Sequence, residues 1–277
     1  MNFSSPDLAN NKQFHGSWAV ILGGSSGFGL AALEKLARHG MNIAVLYREM
    51  SAPEKILKAK LAAIANSYKV SVNTFNVNAL EPGACDLFSQ QFAAMAGGKH
   101  SIRLLLHSIA RGNLKPLVVP ENSDLHEILS IKDIQSTTYA MATSLLDWTR
   151  SLLAGEHFHT DARIIGLTSE GAHKYWEGYA AVSIAKSSLE SLVTYMAVEL
   201  SKYGLKTNLI KAGITDTPSL KRLPASEELI RLAAIRNPLG RLTRPDDVAN
   251  VIYLLCTDEA SWINGSVIHV DGGEHCR

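Results

Sequence analysis

The sequence is poor in charge and in cysteine and lacks long apolar runs, and each scarcity excludes a class of protein. Charged residues make up 19% of the 277 residues and the formal net charge is +1, so no basic block offers a surface to nucleic acid. The three cysteines, Cys85, Cys256 and Cys276, are too widely spaced for a disulfide framework or a zinc motif, which is typical of a reducing compartment. No apolar run approaches the ~20 residues of a membrane span. We therefore expect a cytoplasmic protein that binds neither nucleic acid nor membrane.

Apolar residues, by contrast, are plentiful at 46% of the chain. A chain of this length buries about three quarters of its unfolded surface and needs no disulfides to form a core. The N-terminal stretch MNFSSPDLANNKQFHG lacks a basic region followed by an apolar core, so we expect no signal peptide. Because no linker interrupts the remainder, we predict a lead-in over 1–16 and a single domain over 17–277.

Short apolar runs alternate with longer segments of helical periodicity throughout this domain. The predicted strands cover residues 18–22, 42–47, 70–77, 102–107, 163–168, 206–210 and 267–270. The predicted helices cover residues 30–39, 52–68, 82–96, 125–153, 179–203 and 246–256. Such alternation requires right-handed crossovers, and continuously apolar strands are covered on both faces. The pattern predicts the α/β class, with a doubly wound parallel sheet of the Rossmann type and ligands beyond the carboxyl ends of its strands.

A glycine-rich segment joins the first predicted strand to the first predicted helix. Residues without side chains at this place allow a tight turn, close approach to a pyrophosphate and close packing of helix on strand, while the helix N-terminus offers free N–H groups. The alternative is a glycine turn without a ligand, but the position after the first strand favours a dinucleotide. The candidate phosphate-binding residues are Gly23, Ser25, Ser26, Gly27, Phe28 and Gly29.

The end of the second predicted strand indicates which dinucleotide is bound. An acid there binds the ribose hydroxyls of NAD, whereas an arginine accommodates the 2′-phosphate of NADP. The sequence has Tyr47 at this place, followed by Arg48, whose guanidinium matches a phosphate. The alternative is a surface arginine paired with Glu49 or Glu54. We predict that Tyr47 and Arg48 contact the cofactor and that NADPH is preferred to NADH.

Tyr179 and Lys186 stand seven residues apart in the fifth predicted helix. Seven residues are nearly two turns, so the two side chains share one face. Val182, four residues before the lysine, cannot donate a proton, and Tyr175 is the rival donor. If neither residue is catalytic, Tyr179 is an aromatic residue of the core and Lys186 is a solvated lysine on the helix surface.

These motifs resemble those of the short-chain dehydrogenase/reductase family, and the resemblance extends from Ser17 to Gly273. The spacing Gly-x-x-x-Gly-x-Gly is that of the family, whose common Tyr-x-x-x-Lys is replaced here by Tyr-x6-Lys. This longer spacing and the run Ser108-Ile109-Ala110 resemble the enoyl-acyl carrier protein reductase branch. The compact glycines together with Ser169 resemble its NADPH-dependent bacterial subtype.

A tyrosine placed one turn earlier stands about 4.5 Å further along the helix. Hydride delivery to the β-carbon of an enoyl thioester leaves the oxygen that becomes negative three bonds away, so its donor must stand further out than in a ketoreductase. The resemblance implies that Tyr179 is this donor and that Lys186 holds the nicotinamide ribose. We expect the charge of Lys186 to favour the anionic form of the tyrosine. Ser169 either donates a hydrogen bond to the substrate oxygen or only closes a strand, and both readings stay open.

The resemblance also implies further contacts to the dinucleotide and a lid. Ile214 is expected at the nicotinamide carboxamide, Thr217 at the phosphates or carboxamide, and Asn76 with Val77 at the adenine. The complete set of these implied contacts is Asn76, Val77, Ser108, Ile109, Ala110, Gly213, Ile214 and Thr217. Residues 217–237 would form a lid over an acyl chain.

The expected function is reduction of the 2,3 double bond of a trans-2-enoyl thioester by NADPH in fatty acid synthesis. The thioester would be carried by acyl carrier protein or CoA, and the resemblance implies a homotetramer. Two alternatives stay open: a short-chain carbonyl reductase or alcohol dehydrogenase, and a dinucleotide-binding protein without turnover. The ten histidines show no metal-binding spacing, so we expect no metal.

Overall fold

Every motif described above lies at one edge of a parallel sheet. A computed structural model of the protein describes residues 13–96, 98–118, 128–223 and 226–277. The strands in these residues are β1 (Trp18–Leu22), β2 (Asn42–Tyr47), β3 (Val72–Asn76), β4 (Ile102–His107), β5 (Phe158–Thr168), β6 (Lys206–Ala212) and β7 (Val267–Val270). The helices are α1 (Gly27–Arg38), α2 (Ser51–Tyr68), α3 (Ala84–Met95), α4 (Ile131–Thr138), α5 (Ser144–Ala154), α6 (Ala180–Glu199), α7 (Ser226–Arg236) and α8 (Pro245–Cys256).

The seven strands form one sheet in the order β3-β2-β1-β4-β5-β6-β7, with each neighbouring pair parallel. The order reverses between β1 and β4, which makes the space beyond their carboxyl ends the place where a doubly wound sheet binds its ligand. The register between β1 and β2 is regular, with Trp18 opposite Asn42 and Leu22 opposite Leu46, whereas the register between β1 and β4 shifts between Trp18 and Ala19. The predicted fold class, a single α/β domain of the Rossmann type, is confirmed.

The sheet is covered on both faces, as its apolar strands require. One core cluster joins the sheet to α1, α2 and α8, and a second joins it to α3, α5 and α6. All five residues of β1 are buried, because successive side chains point to opposite faces and each face carries helices. Phe14, within the predicted lead-in, also belongs to the first cluster.

The fourth predicted helix is wrong in its start and in its regularity. Residues 125–127 of the predicted range lie outside the described residues, and the helix begins at Ile131 instead. Ser130 caps it, because its hydroxyl accepts the N–H of Asp133 while the Asp133 carboxylate accepts the N–H of Ser130. A π-helical turn over Tyr139–Thr143 then separates α4 from α5.

Other predicted bounds also differ from the structure, most of all at the start of β5 and at the end of α6. Strand β5 begins at Phe158, five residues before the predicted start, and a shift in register between Ile102 and Leu104 accommodates the extra length. Helix α6 ends at Glu199, and Ser201–Tyr203 form a 3-10 turn.

The predicted lid contains helix α7 and a 3-10 turn at Leu220–Arg222. Residues 224 and 225 of its range lie outside the described residues. Of the helices in the part of the chain that the structure describes, none is sufficiently long and apolar to span a lipid bilayer.

Candidate active site

A cavity of about 430 Å³ runs along the carboxyl ends of the strands. Its wall is built from the loop after β1, the ends of β2 and β4, the segment after β5, the start of α6 and the loop after β6. The sequence-predicted residues in this wall are Gly23, Ser25, Ser26, Gly27, Phe28, Tyr47, Arg48, Val77, Ser108, Ile109, Ala110, Ser169, Tyr179, Lys186, Gly213, Ile214 and Thr217. Gly29 and Asn76 lie beside the wall, where each supports a neighbouring segment.

The glycine loop, residues 23–29, is shaped by contacts between backbone atoms. Gly23 adopts a φ of +85°, and a Cβ on it would lie 2.6 Å from the carbonyl oxygen of Ser108. A Cβ on Gly29 would overlap the carbonyl oxygen of Gly23. Only glycine therefore lets this loop close on itself and lets α1 begin directly beneath the cavity.

The first turn of α1 presents a free N-terminus to the cavity. The Ser26 side chain makes no cap to the helix, and the first turn holds no acidic residue. The first backbone bond into the helix runs from the N–H of Leu30 to the carbonyl of Ser26, so the preceding N–H groups have no helical acceptor. This end of the cavity fits a pyrophosphate, because unpaired N–H groups and the helix dipole attract an anion.

The end of β2 places a buried tyrosine beneath an exposed arginine. Tyr47 is 3% exposed, and among the described residues its hydroxyl has no hydrogen-bond partner. Within the described part of the chain Arg48 makes no ion pair, and the Glu54 carboxylate pairs instead with Lys58 at 2.7 Å. The alternative pairing of Arg48 with a neighbouring acid is therefore not observed.

Asn76 and Glu49 are joined by two hydrogen bonds that brace this corner. The Asn76 amide accepts the backbone N–H of Glu49 at 3.0 Å and donates to its carbonyl at 2.9 Å. The side chain predicted at the adenine thus ties the end of β3 to the segment that carries Arg48.

Lys186 is a buried cation at the middle of the cavity. Its side chain is 6% exposed, and Nζ donates to the carbonyl oxygen of Leu167 at 2.7 Å. Burial lowers the pKa of Lys186 from 10.5 to about 8, because desolvation disfavours the charged form. A buried ammonium with donors to spare fits the hydroxyls of a ribose, and the solvated-lysine alternative is excluded by its burial.

Tyr179 stands at the N-cap of α6, not inside the helix as predicted. Its ring packs against Trp176, with centroids 4.9 Å apart, and against Gly171. Burial raises the pKa of Tyr179, while the nearby Ser169 hydroxyl acts in the opposite direction. The Ser169 oxygen also accepts the N–H of Gly171 at 3.2 Å.

Burial and the Ser169 hydroxyl are the causes that shift the pKa of Tyr179, and the Lys186 ammonium donates to the carbonyl of Leu167. The influence of Lys186 on the tyrosine stays a prediction. Val182 lies in the cavity wall between them. Tyr175, the rival donor, is 88% exposed and lies outside the wall, so the structure favours Tyr179 over it.

The loop after β6 is held by a buried acid that sequence reasoning missed. The backbone N–H of Ile214 donates to the Glu274 carboxylate at 3.2 Å, although the resemblance assigned Ile214 to the nicotinamide. Glu274 is 2% exposed and pairs with Arg236 at the end of α7, which also pairs with Glu170 at 3.0 Å. These ion pairs connect the lid helix to the loops after β5 and β7. No local pattern marks Glu274, because its partners come from distant segments.

His107 ends β4 beneath the cavity and is structural. Its Nε2 lies 2.9 Å from the Ser144 hydroxyl, and burial lowers its pKa to about 3, which keeps the ring neutral. Ser144 follows the π-helical turn and donates to the carbonyl of Ala140 at 3.3 Å.

Comparison with known proteins agrees with this arrangement. A family model described as Enoyl-(Acyl carrier protein) reductase matches residues 23–275. Enoyl-acyl-carrier-protein reductase (NADH) FabI of Aquifex aeolicus is 36% identical over 132 residues, which is 48% of each chain. 3-Oxoacyl-acyl-carrier-protein reductase FabG of the same organism is 26% identical over 261 residues, covering 94% of this chain and 98% of that protein. The uncharacterized oxidoreductase YmfI of Bacillus subtilis is 27% identical over 261 residues, covering 93% and 98%.

Solved structures show the same fold. The crystal structure of the Aquifex aeolicus enoyl-acyl-carrier-protein reductase (NADH) superposes with a TM-score of 0.77 at 24% identity, covering 95% of this chain and 98% of that one. The family is therefore indicated both by the sequence match over residues 23–275 and by the architecture, with its glycine loop and buried lysine. The chain belongs to the short-chain dehydrogenase/reductase family of oxidoreductases, in the group whose model is described as Enoyl-(Acyl carrier protein) reductase.

Proposed function

We propose that the protein reduces the 2,3 double bond of a trans-2-enoyl thioester, with NADPH as the hydride donor. The observation that carries this proposal is the position of Tyr179. Its partly buried phenol stands at the N-cap of α6, while Val182, nearer to Lys186, has no proton to give. The matching family model and the partial likeness to FabI support the same reaction.

A reduced nicotinamide, when bound, would supply the hydride for the β-carbon, and the electrons of the double bond would move toward the thioester oxygen. Tyr179 donates its O–H to that oxygen as the negative charge develops, where a preorganised donor is most effective. Solvent then supplies a proton to the α-carbon. Lys186 holds the ribose hydroxyls through the donors that Leu167 leaves free.

The preference for NADPH is supported by Arg48. The guanidinium lies in the cavity wall, is exposed, and has no ion-pair partner among the described residues. It is therefore available to a 2′-phosphate. The FabI relative is named for NADH, so the choice between the two dinucleotides needs a direct measurement.

The thioester is carried by acyl carrier protein or CoA in this proposal, and its acyl chain lies under the lid. Leu220 and Leu223 are buried beside Ile214 in an apolar cluster that also contacts Tyr179 and Trp176. We further propose that the protein is a homotetramer, in line with the family. Light scattering of the purified protein measures its oligomeric state.

In the test, the purified protein is mixed with NADPH or NADH and with one of two substrates, crotonyl-CoA or acetoacetyl-CoA. We expect NADPH oxidation with crotonyl-CoA. Tyr179→Phe should lower kcat about 100-fold or more, because general acid catalysis contributes at least that much. Tyr175→Phe is the matched control and should leave kcat unchanged, since that ring is 88% exposed. Equal rates in the Tyr179→Phe variant and the wild type would remove this residue from the mechanism.

A carbonyl reductase is the second candidate, and one contact favours it. Ser169 lies beside the Tyr179 phenol, so the two hydroxyls together can polarise a simple carbonyl. FabG, named as a 3-oxoacyl reductase, is similar over nearly the whole chain. Turnover of acetoacetyl-CoA without turnover of crotonyl-CoA would establish this activity. Tight NADPH binding without either turnover would indicate a dinucleotide-binding protein that has lost catalysis.

A further inference from the structure

Three side chains with metal-binding atoms converge just after β7. They are His269 on the strand, Asp271 directly after it and His275 in the last turn of the chain, and their ligand atoms all lie within 4.8 Å of one another. No local pattern predicted this group, because His-x-Asp-x-x-x-His matches no familiar metal spacing. The tight turn at Gly272 and Gly273, both with positive φ, folds the last residues back over the strand end.

We propose that His269, Asp271 and His275 form a binding site for a borderline divalent metal ion of the Zn²⁺ class. Two imidazoles and one carboxylate are a donor set that such ions prefer. The proposal revises the expectation that this chain binds no metal. It does not depend on the proposed reductase activity.

Asp271 is fixed in place as a ligand should be. The residue is 6% exposed, and its carboxylate accepts the backbone N–H groups of Gly273 and His275, each at 3.0 Å. Such bonds hold the carboxylate in one orientation without occupying every lone pair.

Both histidine rings are turned toward this carboxylate. Nδ1 of His275 lies 2.6 Å from Oδ2 of Asp271, Nδ1 of His269 lies 3.8 Å from the same atom, and the ring centroids are 3.9 Å apart. Ligand atoms around a tetrahedral zinc are separated by about 3.3 Å, given bonds of about 2.0 Å. The observed distances bracket that value, so an ion needs only small side-chain adjustments. Both imidazole side chains are more than a third exposed and are free to make them.

The surroundings are compatible with a cation. Lys211 is the neighbouring positive charge, and its ammonium is paired with Glu190 at 3.1 Å. All three ligands also belong to the cavity wall, which gives the ion an entry path and leaves its remaining positions to water.

The test is titration of the chelator-treated full chain with Co²⁺, followed by visible absorption, and with Zn²⁺, followed by calorimetry. We expect one equivalent to bind with a Kd of about 10 µM or tighter. Saturating Zn²⁺ should raise Tm by about 5 °C, since binding to the folded state alone stabilises it. His269→Ala and His275→Ala should each weaken binding at least about tenfold, while their Tm without metal reports that both variants are folded.

Cys276→Ser is the matched control, because Cys276 is an exposed metal-binding side chain beside His275 but outside the group. We expect this variant to bind Co²⁺ as the wild type does. The absence of saturable binding, equal binding by both histidine variants and the wild type, or loss of binding in Cys276→Ser would each overturn the proposed site.

Discussion

Two glycines beside the cavity, Gly29 and Gly171, show how differently its two halves are built. A Cβ on Gly29 would overlap the Gly23 carbonyl oxygen and lie 3.0 Å from the Cα of Gly24, so it meets backbone on every side. A Cβ on Gly171 would lie 2.6 Å from a ring carbon of Tyr179 and 2.9 Å from one of Trp176, so it meets side chains. The glycine loop of the cofactor half is therefore closed at Gly29 by main chain, which has little freedom to move. The substrate half is shaped at Gly171 by two aromatic rings, which can move.

The largest effect is expected at the backbone half. Gly29→Ala should weaken dinucleotide binding about 100-fold, because overpacking a site without freedom to relax costs about 1–3 kcal/mol. Titration of NADPH followed by its fluorescence measures the Kd. Gly98→Ala is the control, since a Cβ there has no atom within 4 Å. Unchanged affinity in Gly29→Ala would show that the loop relaxes and that the comparison between the two halves is wrong.

The glycine loop was predictable from sequence because its geometry is local. Gly23 directly follows the apolar residues of β1, and a continuously apolar strand of this kind is stable only in the interior of the sheet. The apolar runs of β1, β2, β4 and β7 likewise match the predicted bounds to the residue. Where local pattern determines structure, the sequence was sufficient.

The substrate half was less predictable because its contacts join distant segments. Tyr179 and Lys186 were identified from their spacing, but Gly171, Trp176 and Glu274 were not, since no periodicity marks them. The helix predicted over 125–153 failed for a related reason. A capping box at Ser130 and a π-helical turn at Tyr139–Thr143 interrupt a stretch whose apolar pattern is continuous.

A second prediction concerns Lys186, the buried cation between the two halves. Its pKa is about 8 when folded and 10.5 when unfolded, so the unfolded chain binds more protons between these values. The free energy of unfolding should therefore rise with pH across this window. Relative to Lys186→Met, the wild type should gain about 2 kcal/mol between pH 7 and pH 10, at 1.36 kcal/mol per pKa unit.

Urea unfolding of both proteins without dinucleotide, at the two pH values, measures this difference. The comparison with Lys186→Met cancels the titration of the other lysines and tyrosines. A constant difference between the two proteins would mean that the ammonium is solvated when the protein is folded.

A third prediction is the counterpart of the first and concerns the substrate half, which is shaped by side chains. Gly171→Ala should displace the Tyr179 ring and lower kcat about tenfold, because small displacements of a positioned donor are costly. The Kd for NADPH should stay within about twofold. In a Tyr179→Phe background the same substitution should have no further effect, since residues that act through one contact are not additive. An equal loss in both backgrounds would assign Gly171 a role apart from the tyrosine.

The smallest effect is expected at the exposed rim of the cofactor half, where we propose that a side chain and not the main chain sets the selectivity between NADPH and NADH. Arg48→Gln should raise the KM for NADPH about fivefold, since an exposed ion pair contributes no more than about 1 kcal/mol, and should leave the KM for NADH unchanged. Arg38→Gln, on the same helix face as Glu34 and outside the cavity wall, is the control for loss of one positive charge. Parallel changes for the two dinucleotides would mean that Arg48 contacts a group they share. If Arg48 sets the preference from the rim, as we propose, the backbone half should bind either dinucleotide, and one exposed residue should be sufficient to bias the choice.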